Sequence, residues 1–341
     1  MFYQKSWWLR PKLNNLEISI VTDPIPVGIF FVTESVKSHL RRARNIGRNI
    51  FNPPPAYLMS DFRGHPAVTR SIVHGLNKMA VPFTYNPKSL NDLSQTVVVL
   101  SGISALRQMI KLKQRGYIRC LLVGPSILDD PGSHRGILAS PEIDRYITHA
   151  PVCELMGRFL PTLATRCIPW AAGVDLGFWH RKALEAREHV IIYWKQNKGP
   201  TIPLEPFRAE LERRGYKVYV LTYGSYTAEH YKNILQKAKF MVGFTRDETQ
   251  GIAFAEAWAS DVPTFIWRNS EPTYLGVAYR GNTAPYLSGA TGSFFSNIDD
   301  FNGLLSRWES ADFDFKPRQW CHENMSDEVS AQNLLAIAHA V

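Results

Sequence analysis

The feature that most constrains the fold is a repeated alternation between short apolar runs and amphipathic helical patterns. Apolar, β-branched runs occupy residues 96–101 and 120–123, and a helical pattern over residues 104–115 lies between them. In that pattern apolar side chains recur every three or four positions, and basic side chains occupy the opposite face. Strands and helices that alternate in this way build parallel sheets covered by helices on both faces.

The alternation begins a second time near residue 190. The predicted strands of this second series are residues 190–194, 217–222, 240–244 and 263–267. The predicted helices are residues 205–214, 231–239 and 252–260. Two such series predict an α/β protein with two Rossmann-like domains, and a chain of 341 residues is long enough to bury two cores.

The domain boundaries follow from where each series begins and ends. We predict an N-terminal extension over residues 1–55, which contains a strand at 16–21 and can pack on the first domain. The next three parts are the first domain (56–172), an interdomain linker (173–189) and the second domain (190–318). Residues 319–341 are predicted to form a C-terminal helix that can cross back to the first domain.

Composition excludes several classes of protein. No apolar run approaches the roughly 20 residues that a membrane-spanning helix needs. The formal net charge of +9 favours anionic partners such as nucleotides, anionic lipid surfaces or nucleic acid. None of the four cysteines belongs to a C-x-x-C pair, so we predict buried free thiols in a reducing compartment. The N-terminus shows no secretory signal pattern, and the resulting prediction is a cytoplasmic protein.

The stretch from residue 247 to residue 263 carries the strongest chemical signal. Glu248 and Glu256 are separated by seven residues, and Gly251 stands where a helix is predicted to begin. A helix start offers backbone N–H groups and a partial positive charge, which suit a diphosphate. Glycine there lets a ligand approach the backbone, and the two carboxylates can accept hydrogen bonds from sugar and ribose hydroxyls. A capped helix with two solvated acids is the alternative interpretation.

This stretch resembles the E-x7-E motif of the retaining GT-B glycosyltransferases, the glycosyltransferase family 4 type. The likeness continues through an E-A-x-A helix pattern to Val-Pro and a strand. In that family the first acid meets the transferred sugar and the second meets the nucleotide ribose, and the resemblance implies these roles for Glu248 and Glu256. The further donor-binding positions that it implies are Arg246, Thr249, Gln250 and Gly251.

Two further segments resemble the same family. Residues 167–179 are similar to its interdomain pattern, I-P-x-G-V-D-x-x-x-F, with Ala171 and Ala172 added before Gly173. The loop after the strand at 190–194 holds Lys195 and Lys198, where the family places an Arg and a Lys that bind the donor diphosphate. Here the two basic residues are closer together than usual, and lysine lacks the bidentate geometry of a guanidinium. Two solvated lysines in a turn are the alternative.

Other loops are predicted to face the cleft between the domains. Gly64 and His65 open the first predicted helix, in what looks like the family's glycine-containing loop on the acceptor side, and His149 is a second candidate there. Tyr223 and Gly224 follow a predicted strand at its carboxyl end, where α/β folds bind ligands, and can pack against the nucleotide base. The alternatives are incidental loop histidines and a glycine turn flanked by core aromatics.

The resemblance predicts a hexosyltransferase-type enzyme that moves a sugar from a UDP- or GDP-linked donor to an acceptor hydroxyl. The acceptor classes are a glycan, a lipid-linked molecule or a small molecule. The resemblance also implies retention of anomeric configuration, no metal, and no cofactor besides the nucleotide sugar as co-substrate. An NDP-sugar epimerase of the same fold and a non-catalytic sugar-nucleotide-binding protein remain alternatives. No zinc, RNP or KH pattern supports nucleic-acid binding, and we predict no nucleic-acid partner.

Aromatic and basic residues near the N-terminus point to a membrane surface. Trp7, Trp8 and the arginines between residues 41 and 48 are of the kind that rests on anionic lipid, where lipid-linked acceptors reside. An aromatic tail packed on its own domain, with a solvated basic helix, is the alternative. The predicted location is cytoplasmic, with peripheral contact at the membrane.

Overall fold

Two parallel sheets, each built from consecutive strand–helix units, form the body of the chain. The structure, a computed structural model, describes residues 17–23, 64–127, 132–182, 186–195, 204–246, 248–268, 273–274, 277–278 and 283–341. The predicted membrane-contact residues near the N-terminus and the predicted diphosphate ligand Lys198 lie outside these ranges. The expected α/β architecture with two domains is confirmed.

The first sheet has six parallel strands in the order β2-β1-β3-β4-β5-β6. In chain order the strands are β1 (Ile18–Thr22), β2 (Phe83–Tyr85), β3 (Thr96–Ser101), β4 (Cys120–Val123), β5 (Arg145–Thr148) and β6 (Cys167–Pro169). Its main helices are α1 (His65–Lys78), α2 (Ile103–Gln114) and α3 (Ala150–Phe159). Shorter helical turns are Leu90–Asp92, Ser133–Gly136, Ile137–Ala139 and Pro161–Ala164.

The second sheet has five parallel strands in the order β13-β10-β9-β7-β8. In chain order they are β7 (His189–Trp194), β8 (Lys217–Thr222), β9 (Ala238–Phe244), β10 (Thr264–Trp267) and β13 (Gly292–Phe295), and a small antiparallel pair is formed by β11 (Thr273–Tyr274) and β12 (Val277–Ala278). The helices of this part are α4 (Glu205–Arg213), α5 (Ala228–Gln236), α6 (Ile252–Ala259) and α7 (Ile298–Glu309). Two C-terminal helices follow, α8 (Pro317–Asn324) and α9 (Asp327–His339).

The strand β1 corrects the prediction that residues 1–55 form an extension before the first domain. β1 lies inside the first sheet, where Ile18 is in register with Phe83 of β2 on one side and with Thr96 of β3 on the other. All five of its residues are buried. A strand without a solvent-facing side is stable only with neighbours on both edges and cover on both faces. Residues 18–22 are therefore part of the first domain.

The C-terminal segment 319–341 consists of two helices rather than one, and α9 matches the helix over residues 326–340 that the capping sequence Ser326-Asp327-Glu328 predicts. The helical conformation is interrupted at Met325 and Ser326. The Ser326 hydroxyl then caps α9 by accepting a hydrogen bond from the Val329 N–H at 3.2 Å. α8 packs in the core of the second domain through Cys321, whereas Leu334 of α9 is buried in the core of the first domain. The end of the chain thus crosses between the two domains.

The thiol prediction is only partly right. Cys120 and Cys321 are buried, as expected, but Cys153 and Cys167 are half-buried. The Sγ atoms of Cys153 and Cys167 lie 3.0 Å apart, so the helix α3 and the strand β6 meet there through a pair of free thiols. Within the described part of the chain no helix is long and apolar enough to cross a bilayer.

A buried carboxylate at the start of α9 ties the C-terminal helix to the first domain. Asp327 is completely buried and accepts hydrogen bonds from both terminal nitrogens of Arg70 on α1, at 2.8 and 3.0 Å. The His74 Nδ1 atom lies 2.8 Å from the same carboxylate. The helices approach so closely that a Cβ at Gly75 would come within 2.2 Å of the Asp327 carbonyl oxygen. The geometry therefore leaves no room for a side chain at that position.

Asp175, in the interdomain linker, lies beside this cluster. Its carboxylate is 3.6 Å from His74 and 3.7 Å from Lys78. Burial disfavours the charged carboxylate, but His74, the Gly177 N–H, Arg70 and Lys78 together hold the pKa of Asp175 below its ordinary value. The linker is thus held against the first domain by opposite charges.

Side chains from both domains form hydrogen bonds with the backbone of Ala172 and Gly173, just before Asp175. The Ala172 N–H donates to the Gln250 Oε1 atom at 3.1 Å, and the Gln250 Nε2 atom donates to the Ala172 carbonyl at 2.7 Å. The next residue, Gly173, donates its N–H to the Ser71 hydroxyl at 3.1 Å. Gln250 lies in the loop before α6, so its amide links the second domain directly to Ala172, the last residue of the first domain.

We predict that Asp327→Ala lowers the free energy of unfolding by about 3 kcal/mol, because the buried Arg70 guanidinium would lose its two hydrogen bonds to this carboxylate. Urea or thermal unfolding measures the loss. The matched control is Asp312→Ala, which removes an exposed carboxylate bonded to Arg307 at 2.7 Å and should cost much less. Equal losses in the two variants would contradict the role assigned to Asp327.

We predict that Gln250→Ala lowers the free energy of unfolding by about 2 kcal/mol, because it removes two hydrogen bonds from the buried peptide groups of Ala172. Gln319→Ala is the control, since the Gln319 side chain is bonded only to the exposed Glu323 on the same helix, at 2.9 Å. The melting temperatures of the two variants give the comparison. An unchanged melting temperature for Gln250→Ala would show that the amide does not hold the segment.

Candidate functional site

A cleft opens between the carboxyl ends of the strands of the two sheets. From the first domain it is lined by Gly64 and Val68 at the start of α1 and by the residues that follow β4 and β5, namely Pro125, Ser126 and His149. From the second domain it is lined by residues that follow β7, β8 and β9, among them Lys195, Tyr223 and Glu248. This is the edge at which parallel α/β sheets bind ligands.

An ion pair lies at the centre of the second-domain wall. The Lys195 Nζ atom donates a hydrogen bond to the Glu248 Oε1 atom at 2.8 Å. The same Nζ atom lies 4.8 Å from the centre of the Tyr223 ring, and the Lys195 backbone N–H donates to the Phe244 carbonyl at 2.9 Å. Because its backbone continues the β7–β9 ladder, Lys195 is carried on a rigid element rather than on a free loop.

The start of α6 faces the same space. Gly251 precedes the helix in a left-handed conformation, with φ of 77°, which glycine adopts without strain. A Cβ at this position would come within 2.9 Å of the Phe254 ring, so the turn has no room for a side chain. Ile252 and Ala253 in the first turn line the cleft, and Ile252 also packs against the core of the first domain. The backbone N–H groups of this turn are therefore available to an anion in the cleft.

Glu256 lies deeper in the cleft, beside a cluster of tyrosines. It is only 8% exposed. Burial is the main cause, and the nearby Tyr226 and Glu256 are lesser causes, of a pKa of the Tyr231 phenol that lies well above its ordinary value. The Tyr231 hydroxyl donates a hydrogen bond to the Ala253 carbonyl at 2.7 Å. The pKa of the Tyr193 phenol is also raised well above its ordinary value, mainly by burial and to a lesser extent by Tyr226 and Glu248. Both phenols are therefore neutral donors near physiological pH and do not serve as bases.

Most of the residues predicted from the sequence meet in this cleft. Those that line it are Gly64, His149, Lys195, Tyr223, Glu248, Thr249, Gln250, Gly251 and Glu256. Gly224 and Arg246 are described but do not line it; Gly224 is in the exposed turn after Tyr223, and Arg246 is half-buried after β9. His65 is the first residue of α1. The roles proposed for all of these residues remain predictions.

The sequence reasoning missed part of the lining. Trp179 and Tyr193 are almost completely buried and present their rings to the cleft, and Ser126 contributes from the loop after β4. Tyr193 is part of an apolar strand and Tyr231 is part of an amphipathic helix, so their patterns read as ordinary core. Position along the chain could have identified two of these residues, because Tyr193 and Ser126 lie near the carboxyl ends of predicted strands, where α/β sheets bind ligands.

A group of residues with the spacing of a metal site lies outside the cleft lining. His74, Asp175 and Asp327 place ligand atoms within 4.8 Å of one another. Arg70 and Lys78 already bring positive charge to these carboxylates, at 2.8 and 3.7 Å. A divalent cation would be repelled by both, so the chemistry of this group fits an interdomain ion-pair cluster better than a metal centre.

The comparisons with known proteins come from structure rather than sequence. No protein-family model matches the chain, and no curated protein sequence matches it. The apo form of the lipopolysaccharide outer core galactosyltransferase WaaB is similar over 95% of this chain and 99% of its own, at 11% identity and a TM-score of 0.53. HepE from Anabaena in complex with UDP is similar over 96% of this chain and 100% of its own, at 10% identity and a TM-score of 0.53.

A second structure of Anabaena HepE, in complex with UDP and glucose, gives a TM-score of 0.50 at 10% identity, again over 96% of this chain and 100% of its own. At such identities the likeness concerns the fold alone. It spans both sheets and the cleft between them, and it agrees with the resemblance that the sequence motifs indicated. The chain therefore has the GT-B fold, two Rossmann-like domains facing each other across a cleft.

Proposed function

We propose that this protein is a glycosyltransferase that transfers a sugar from a nucleotide-sugar donor to an acceptor hydroxyl. The observation that carries the proposal is the arrangement of Lys195, Glu248 and the start of α6 within one interdomain cleft. A cation beside backbone N–H groups suits a departing diphosphate, and a carboxylate nearby suits the hydroxyls of a sugar. Further support comes from proteins with the same fold: WaaB is a galactosyltransferase, and the structure of HepE is a complex with UDP.

Each group has a place in the proposed reaction. The diphosphate lies against the first turn of α6, where Gly251 allows close approach, and Lys195 neutralises the charge that develops on the leaving oxygen. Glu248 accepts hydrogen bonds from the transferred sugar and orients its anomeric carbon. Glu256, deeper in the cleft, accepts from the ribose. The acceptor enters from the first-domain side, past Gly64 and His149.

Finer features of the proposal come from the resemblance to the glycosyltransferase family 4 type. They are a hexosyl donor linked to UDP or GDP, retention of anomeric configuration, and transfer without a metal ion. The acceptor is a glycan, a lipid-linked molecule or a small molecule, and the net charge of +9 favours peripheral contact with an anionic membrane from the cytoplasmic side. An epimerase or a non-catalytic binding protein of the same fold would also bind the donor, so activity separates these alternatives.

The proposal is tested first by a thermal-shift screen of the full-length protein against UDP, GDP, ADP and TDP sugars. A ligand that binds only the folded state raises the melting temperature by an amount that grows with the logarithm of the ratio of its concentration to its dissociation constant. We expect one base series to raise it and the others to leave it unchanged. If none raises it, the proposal of a nucleotide-sugar enzyme is contradicted.

Glu248→Gln should then lower transfer by about a hundredfold or more, since one charged contact to the reacting sugar is weakened. Glu309→Gln, which alters an exposed acid bonded to Arg214 at 2.7 Å, is the control with the same change in net charge and should keep full activity. The assay contains a chelator, and NMR reads the anomeric configuration of the product. Unchanged transfer by Glu248→Gln would remove this acid from the mechanism. Loss of wild-type transfer in the presence of the chelator would contradict transfer without a metal ion, and an inverted product would contradict retention of configuration.

A further inference from the structure

The two groups that would bind different parts of a donor are bonded to each other. The 2.8 Å hydrogen bond between Lys195 and Glu248 joins an ammonium, 18% exposed, to a carboxylate, 11% exposed. Such a pair is screened less by solvent than an exposed one. A diphosphate that approaches Lys195 therefore meets a cation whose charge is already shared with a carboxylate.

Two further contacts position Lys195 beside Glu248. Its backbone belongs to the β7–β9 ladder, and its ammonium rests over the Tyr223 ring at 4.8 Å. Glu248 lies in the short turn between β9 and α6, next to the first helical turn on which the diphosphate would lie. The lysine, the carboxylate and the proposed diphosphate site are thus confined to one small volume.

Resting on the proposed function, we propose that Glu248 competes with the diphosphate for Lys195, so that the site discriminates against the nucleoside diphosphate in favour of the intact nucleotide sugar. When the intact donor binds, its sugar hydroxyls donate to Glu248 and replace the lysine as its partner. When only the diphosphate remains after transfer, no hydroxyl is present, and Glu248 returns to Lys195. The ion pair then weakens the hold on the product and promotes its release.

This account predicts opposite effects of one substitution on transfer and on product affinity. Glu248→Gln keeps the size of the side chain but removes the charge, so Lys195 interacts with the diphosphate alone. We expect the dissociation constant of the nucleoside diphosphate to fall about tenfold, the equivalent of about 1.4 kcal/mol. The affinity for the intact nucleotide sugar should not increase to the same extent, because the donor does not meet the competition.

A double-mutant cycle separates competition from simple repulsion between the carboxylate and the phosphates. Titration calorimetry, with ligand-observed NMR for millimolar affinities, measures binding of UDP, GDP, ADP and TDP to the wild type, Glu248→Gln, Lys195→Met and the double variant. Competition requires Lys195, so Glu248→Gln should change affinity less than twofold in the Lys195→Met background. Glu309→Gln controls for the change in net charge and should leave the affinity unchanged.

The possible results distinguish this inference from the proposed function. If a nucleoside diphosphate binds the wild type but Glu248→Gln does not bind it more tightly, the competition is refuted and the proposed function stands. If the gain persists undiminished in the Lys195→Met background, repulsion replaces competition and the inference is again overturned. If no nucleoside diphosphate binds any variant whose melting curve shows it to be folded, both the inference and the proposed function fail.

Discussion

The attachment of the C-terminal helix to the first domain depends on one buried carboxylate, that of Asp327. It begins the helix that packs on the first domain, and the helix immediately before it in the chain packs in the core of the second domain. Bonded to Arg70 and His74, and close to the charges around Asp175, this carboxylate ties together the first domain, the linker and the end of the chain. The cleft walls belong to different domains, and those domains are linked by the hydrogen bonds between Gln250 and Ala172 and by the passage of the chain from α8 to α9.

The charges inside the cleft follow a similar logic on a smaller scale. A half-buried lysine and a half-buried glutamate satisfy each other, which limits the cost of keeping charge away from water. The same groups are chemically suited to separate parts of a nucleotide sugar. A ligand that offers both a diphosphate and hydroxyls can replace the internal contact with two external ones, whereas a ligand with only one of these leaves part of the site unsatisfied.

Much of this arrangement could be predicted from the sequence, because it depends on local patterns. The strands at 96–101, 120–123 and 217–222 have the predicted bounds, since each is a short apolar or β-branched run with a clear turn at its end. The short strands β2 and β6 and the helix α7 were not predicted. The place of β1 in the sheet depends on pairing with residues more than sixty positions away, which no local pattern shows.

The candidate site divides in the same way. Glu248, Gly251 and Glu256 stand out through their spacing, but the Lys195–Glu248 bond and the tyrosines around Glu256 arise from tertiary contact. The most direct test of the account is a crystal structure of the protein with the nucleotide sugar that raises its melting temperature most. The account predicts phosphate oxygens within about 3.2 Å of the Lys195 Nζ atom and of backbone N–H groups in the first turn of α6. A diphosphate bound elsewhere, or a cleft closed by its own side chains, would contradict it.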